Sequence, residues 1–293
     1  MEDKIVFILN PISGFRKFRR TRIESIITKE IKSGKINGKI RYSRYAGHTS
    51  EIAKSAVEEG CKFIVVAGGD GSINEVARVL TNTDVALGII PAGSGNGLAR
   101  HIKIPFNIKN CLKIIKQKKI QHADVIEVNG KYAISIAGVG FDAIVAERYS
   151  KDKNRGFISY VQAAILEYFT YKPEKVKICT DELVIDESIF FMVLANSNQF
   201  GYNFRIAPRA DLFDGYMDVV IVKNVPLIAA PLSSIKVLTG YANKSLYVSS
   251  FKTKKITITR ANDGIMNIDG DPHKTGKIVE AKILEKALWL VTP

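Results

Sequence analysis

The strongest constraint on this chain is a change of rhythm near its middle. From Lys4 to about Lys119, short apolar segments alternate with amphipathic ones. "KIVFIL" precedes a helical pattern near residues 21–32, "KIRYSRY" one near 49–59, and "FIVVA" one over 72–80. "ALGII" leads into residues 96–101 and a further helix. Strands alternating with helices require right-handed crossovers, which build a parallel sheet. Apolar runs such as residues 63–67 suit strands covered on both faces. After about Gln121 the period becomes two. "ADVIEVNGKYAISIA" reads as two strands around Asn129-Gly130, a strong hairpin signal. "KVKICTDELVIDESIFFMVLANS", "GYMDVVIV", "KKITITRANDGIMNIDGD" and "GKIVEAKILEKALWLV" continue that pattern. Helical patterns interrupt it at residues 157–170 and 227–242. The expected fold is a Rossmann-like, three-layer α/β domain with a parallel sheet over residues 1–122. An antiparallel β-sandwich domain over residues 123–293 follows it, with a last strand able to return to the first domain.

In an open parallel sheet, ligands bind beyond the carboxyl ends of the strands. Three loops are expected at that edge: "NPISG" (residues 10–14), "GGDGSINE" (68–75) and "PAGSGNGLAR" (91–100). The last two open helices, which aims free N–H groups and a positive helix end at an anion. Glycines permit close approach to phosphate oxygens, and Ser13, Ser72 and Ser94 add hydroxyl donors. One glycine-rich turn would be explained by geometry alone; three at one edge point to a phosphate chain. None is a Walker A or G-x-G-x-x-G loop, so neither a P-loop enzyme nor an ordinary NAD dehydrogenase is indicated.

Charge narrows the partners. Lys and Arg number 43 against 29 Asp and Glu, a formal net charge of +14. Such a balance favours nucleotides, nucleic acid or an anionic membrane surface. No nucleic-acid motif is present, and a nucleotide or membrane surface fits better, with "FRKFRR" and "KQKK" as the densest basic stretches. Cys61, Cys111 and Cys179 are odd in number and widely spaced. They read as reduced thiols of a cytoplasmic protein. The acids in "MEDKIVFILNP" and its short apolar run do not suit a signal peptide. No apolar run approaches a membrane span.

Taken in order, N-P-x-S-G, G-G-D-G-S-x-N-E and P-A-G-S-G-N resemble the diacylglycerol kinase catalytic-domain family of soluble lipid kinases, related to sphingosine and ceramide kinases. The resemblance covers essentially the whole chain. It implies an ATP site lined by Asn10, Pro11, Ser13, Gly14, Gly68, Gly69, Asp70, Gly71, Ser72, Glu75 and Ser94. Ser43 stands where the family often has threonine. Asp70 would hold Mg²⁺ directly or through water, since an acid beside triphosphate is otherwise repulsive.

The resemblance extends to the second half. Its D-G-x-x-D segment implies a magnesium site with the Asp214 carboxylate and main-chain oxygens near Asp211 and Tyr216, and Asp218 in the adjoining network. D-G is also a common turn. "NIDGDPHKTG" matches the family's D-G-E, whose glutamate is the proposed general base. Here Asp271 replaces it, one methylene shorter, with Asp70 as the other catalytic candidate. "FISYVQAAILEYFT" is apolar nearly all round, which reads first as a core helix and second as the wall of an acyl-chain slot. The implied activity is transfer of the γ-phosphoryl of ATP, with Mg²⁺, to a primary hydroxyl of a long-chain lipid. The protein would be cytoplasmic and peripheral at an anionic membrane surface, with no nucleic-acid partner; a homodimer is compatible with the sequence. The rivals are an NAD kinase, which shares G-G-D-G, and a non-catalytic nucleotide- or lipid-binding regulator.

Overall fold

A computed structural model describes residues 4–11, 17–152, 157–199, 205–225 and 245–293. The expected helix at 227–242 lies outside the described residues. The chain divides into two compact units, Met1–Ala123 with Lys286–Pro293, and Asp124–Glu285.

The first unit is a parallel α/β sheet. Its strands are β1 (Ile5–Leu9), β2 (Gly38–Tyr42), β3 (Phe63–Gly68) and β4 (Ala86–Pro91), in the order β2-β1-β3-β4. The end of β15 (Ile278–Val291) joins beside β4, with Leu290 opposite Leu87 in parallel register. Every residue of β1, β3 and β4 is buried, as strands covered on both faces require. The connecting helices are α1 (Lys17–Lys32), α2 (His48–Glu58), α3 (Asp70–Leu80), α4 (Gly97–His101) and α5 (Ile108–Gln117). In α3 the buried residues Ile73, Val76, Ala77 and Leu80 recur at helical spacing. Removing each such large side chain from water contributes about 1.5–3 kcal/mol. Helix α5 starts on Asn107, whose side chain accepts the Lys109 N–H at 2.9 Å.

The second unit is antiparallel and β-rich. It comprises β5 (Ile120–Val128) from Asp124 onward, β6 (Lys131–Ala133), β7 (Ile136–Gly140), β8 (Glu174–Cys179), β9 (Val184–Ala195) and β10 (Met217–Lys223). Then come β11 (Val248–Thr253), β12 (Lys255–Arg260), β13 (Gly264–Ile268), β14 (Asp271–Thr275) and the first part of β15. Asn129 and Gly130 both have positive φ, 45° and 75°, as a two-residue hairpin turn requires between β5 and β6. Strand β9 pairs with β7, β8 and β10, which gathers one apolar core of Ile178, Met192, Leu194, Val219, Ile258 and Met266 among others. The overall architecture is the expected one.

Two helices interrupt this unit among the described residues, α6 (Phe141–Lys151) and α7 (Phe157–Tyr168). The rhythm of the sequence does not announce α6. It starts at Gly140, with φ 88° and no side-chain cap, so the usual start signal is missing. Helix α7 departs from the expected core helix. Ala163 is buried and Tyr168 packs against Phe141 and Phe190, but Ile165, Leu166 and Phe169 are exposed. No helix among the described residues is long and apolar enough to cross a membrane.

Candidate active site

The parallel register of the first unit delivers the predicted loops together. Leu9 lies beside Tyr42 and Ala67, and Gly68 beside Pro91, so β1, β2, β3 and β4 end at one edge. Asn10, Ser43, Gly69 and Ala92 follow directly. Ladder bonds continue one residue further, from Asn10 N–H to Ala67 O (3.2 Å), Ser43 N–H to Leu9 O (3.0 Å) and Ala92 N–H to Gly68 O (2.8 Å).

Beyond that edge the loops are tied to one another. Asn10 donates its side-chain amide to the Ser72 hydroxyl at 2.7 Å. The backbones at Gly69 and Gly93 touch: a Cβ on Gly69 would lie 3.1 Å from the Gly93 Cα. A Cβ on Gly68 would come within 2.8 Å of the Ser72 Cβ. Asp70 opens α3, and its two carboxylate oxygens accept the N–H groups of Asn96 and Gly97, each at 2.7 Å. Asn96 itself sits at φ 54°, accepts the Gly93 N–H at 2.8 Å and donates to the Gly93 carbonyl at 2.7 Å. Asp70 thus fastens the G-G-D-G turn to P-A-G-S-G-N by charge-assisted bonds. Both oxygens of the Asp70 carboxylate take part in this tie.

Glu75 is half-buried; its carboxylate accepts the Thr49 hydroxyl and its carbonyl the Ser50 hydroxyl. Pro11 is half-buried and Ser94 is exposed at the tip of its loop. Gly71 is exposed with open space where a Cβ would stand. Ser13 and Gly14 lie outside the described residues. Ser43 Oγ and Asn74 Oδ1 are buried without a hydrogen-bond partner among the described residues. Glycine backbones, the start of α3 and the unsatisfied Ser43 hydroxyl at one sheet edge fit a phosphate chain. The sequence reading missed Thr49, Asn74 and Asn96. Asn74 and Asn96 both stand at defined positions of the quoted motifs, and asparagine at 96 also tolerates the left-handed conformation.

The second unit holds the remaining candidates. Asp211 Oδ1 accepts the Phe213 N–H at 3.1 Å and Asp214 Oδ1 the Tyr216 N–H at 3.0 Å, both as turn bonds. The Lys252 ammonium pairs with the Asp214 carboxylate and stands 3.3 Å from Asp218. Burial raises the Asp218 pKa, and Lys252 opposes the rise. One lysine cation is thus shared between two carboxylates, and no group of three or more acid, histidine or cysteine side chains gathers among the described residues. A divalent cation at this turn would be held by the Asp214 carboxylate with main-chain oxygens near Asp211 and Tyr216, in competition with Lys252.

Asp271 is exposed and begins β14, opposite Ile268. The turn before it consists of Asp269 (φ 54°) and Gly270 (φ 94°). The Asp269 carboxylate accepts the N–H groups of Ile134 (2.8 Å), Ser135 (2.8 Å) and Ile136 (3.0 Å), which anchors the turn to the start of β7.

Comparison with known proteins places both halves of the chain in known domain families. The sequence pattern of the diacylglycerol kinase catalytic domain matches residues 4–128, and that of the YegS C-terminal NAD kinase beta sandwich-like domain matches residues 135–292. A diacylglycerol kinase of Staphylococcus saprophyticus is 28% identical over 278 residues, covering 92% of this chain and 90% of that protein. A Bacillus subtilis diacylglycerol kinase is 27% identical over 269 residues, covering 90% and 88%. The crystal structure of a diacylglycerol kinase from Bacillus anthracis strain Sterne superposes with a TM-score of 0.74 at 19% identity, over 99% of this chain and 97% of that one, which supports the fold. With both halves matched in order, the chain belongs to the lipid kinase family that joins a diacylglycerol kinase catalytic domain to a YegS-type C-terminal domain.

Proposed function

We propose that this protein transfers the γ-phosphoryl group of ATP to a primary hydroxyl of a long-chain lipid, diacylglycerol or a sphingoid base. The observation that carries the reading is the tied set of glycine-rich loops at the sheet edge of the first unit, where Asp70 and Asn96 lock the G-G-D-G and P-A-G-S-G-N backbones together. Phosphoryl transfer depends on positioning and charge neutralisation more than on covalent help from the protein. The lipid hydroxyl oxygen attacks the γ-phosphorus, the bond to the β,γ-bridging oxygen breaks, and ADP leaves with that electron pair. The hydroxyl proton passes to a carboxylate, for which family resemblance favours Asp271. Mg²⁺ travelling with ATP supplies charge neutralisation. Asn10, Ser43, Gly68, Gly69, Gly71, Ser72 and Ser94 orient the phosphates. The net charge of +14 supports approach to an anionic membrane surface.

Phosphate incorporation from labelled ATP tests the reading, with diacylglycerol, a sphingoid base and ceramide in anionic vesicles and NAD in solution. Incorporation into one lipid is expected. Asp271→Ala should lower it by about two to four powers of ten with ATP binding little changed. Phosphorylation of NAD alone would establish the NAD kinase rival, and ATP binding without any transfer would establish the regulator.

A further inference from the structure

One fully buried carboxylate of the second unit has no part in the chemistry above. Asp142 lies in the first turn of α6 and is 5% exposed. Its Oδ2 accepts the side-chain N–H of Asn267 at 2.8 Å, and its Oδ1 accepts the Tyr160 hydroxyl at 3.3 Å. Gly138 makes the room: a Cβ there would lie 2.1 Å from Asp142 Oδ2. The other end of the same amide, Asn267 Oδ1, accepts the N–H of Gly270 at 2.8 Å. Gly270 immediately precedes Asp271.

This relay has only one workable polarity. An ionised carboxylate can only accept, and a backbone N–H can only donate. The Asn267 amide must therefore turn its NH₂ to Asp142 and its oxygen to Gly270. Reversing it would set NH₂ against N–H and oxygen against oxygen, two buried unsatisfied contacts. Burial pushes the Asp142 pKa up to about 6, with the Asn267 and Tyr160 bonds opposing the rise, so the group is ionised at neutral pH. Tyr160, raised well above its ordinary value by burial, stays a neutral donor.

We propose that Asp142 is a positioning residue for Asp271: its carboxylate fixes the Asn267 amide, which holds Gly270 and so sets the aim of the adjacent side chain. The proposal rests on the reading that Asp271 takes the hydroxyl proton. Asp269, through its bonds to residues 134–136, steadies the turn from one side, and the Asp142–Asn267 relay steadies it from the other.

The test compares Asp142→Ala, Asp142→Asn and Asp271→Ala in the full chain. The readouts are kcat, KM for ATP and lipid, and hydrogen exchange across residues 267–271. Asp142→Ala should lower kcat about 10- to 100-fold with both KM values near wild type, and exchange at the Gly270 amide should rise about tenfold. Asp142→Asn keeps an acceptor for Asn267 and should recover most of both. Where Asp142→Ala does not fold, Asn267→Ala, which leaves Asp142 its Tyr160 bond, is read in the same way. Wild-type kcat in Asp142→Ala beside an inactive Asp271→Ala would overturn the positioning role while sparing the base. Equal loss in Asp142→Asn and Asp142→Ala would reduce Asp142 to a purely structural charge and would also overturn it. Full turnover in Asp271→Ala would remove the base reading, and the positioning role with it.

Discussion

Gly69 and Gly93 meet backbone to backbone, so that a methyl group placed on Gly93 would lie 2.5 Å from the Cα of Gly69. Real side chains do not approach that closely, and neither loop can yield without breaking its bonds to Asp70. Gly93→Ala should therefore force the two loops apart at a strain of about 1–3 kcal/mol. The expected outcome is a folded protein whose melting temperature no longer rises with ATP as the wild type's does. Thermal melts with and without nucleotide check it, because stabilisation by a ligand follows its affinity.

Asp70 offers a second handle on the same junction. In Asp70→Asn the new NH₂ faces one of the two N–H groups, at Asn96 or Gly97, that the carboxylate now accepts. The lost charge-assisted bond and the opposed donors should cost about 1–3 kcal/mol locally. Lipid phosphorylation should be abolished while far-ultraviolet circular dichroism stays unchanged. Turnover like the wild type's would remove Asp70 from the site.

Asp142 gives the protein a pH signature. Burial raises its pKa from 3.8 to about 6, so the folded state holds the proton more tightly than the unfolded chain does. That contribution to stability is complete below the unfolded value and disappears as pH rises through the folded one. Asparagine has no charge to desolvate. The melting temperature of Asp142→Asn relative to wild type should thus be lowest near pH 4 and should climb toward pH 7. The full swing is on the order of 3 kcal/mol, at about 1.4 kcal/mol per unit of pKa. Melts of both proteins across that range measure it, and a flat difference would count against the shift.

The Lys252–Asp214 pair leads to a prediction about metal. With an ammonium already at these carboxylates, nucleotide-free protein should melt at the same temperature in EDTA and in Mg²⁺. Asp214→Ala removes a partly exposed ion pair, worth about 0.2–1 kcal/mol. Excess Mg²⁺ should not restore the loss. A melting temperature that rises with Mg²⁺ in wild type and not in Asp214→Ala would return a cation to this turn.

The phosphate-binding edge could be read from residues because its demands are local. A backbone that must pass another at Gly69 and Gly93 excludes side chains, and that exclusion is written as glycine. The hairpin at Asn129-Gly130 is legible for a similar reason, since both residues take positive φ. Partners remote in sequence left no such mark. Nothing near Asp70 says that its carboxylate reaches Asn96 and Gly97, and nothing near Asp214 points to Lys252. The exposed face of α7 was hidden because hydrophobicity all round a helix records composition and not what covers it. Helix α6 escaped because a glycine with positive φ opens it without a cap.

The return of residues 286–293 to the first unit bears on how the protein is made. Ala287 O accepts the Asn82 N–H at 2.7 Å, Thr292 N–H donates to Lys119 O at 3.0 Å, and Trp289 stacks on His122 at 4.8 Å. Leu290 completes the sheet beside Leu87. A ribosome releases residues 4–123 long before this strand exists, so the first unit waits with the β4 edge unpaired while the second is synthesised. Domains of many proteins finish folding in order of synthesis. Here the unit that begins first must finish last, and an unpaired strand edge is an invitation to aggregate throughout that interval. Closing so long a loop in sequence also slows the final step. Expression of the two halves as separate chains cut at residue 123 would leave the β4 edge to be covered by a second molecule.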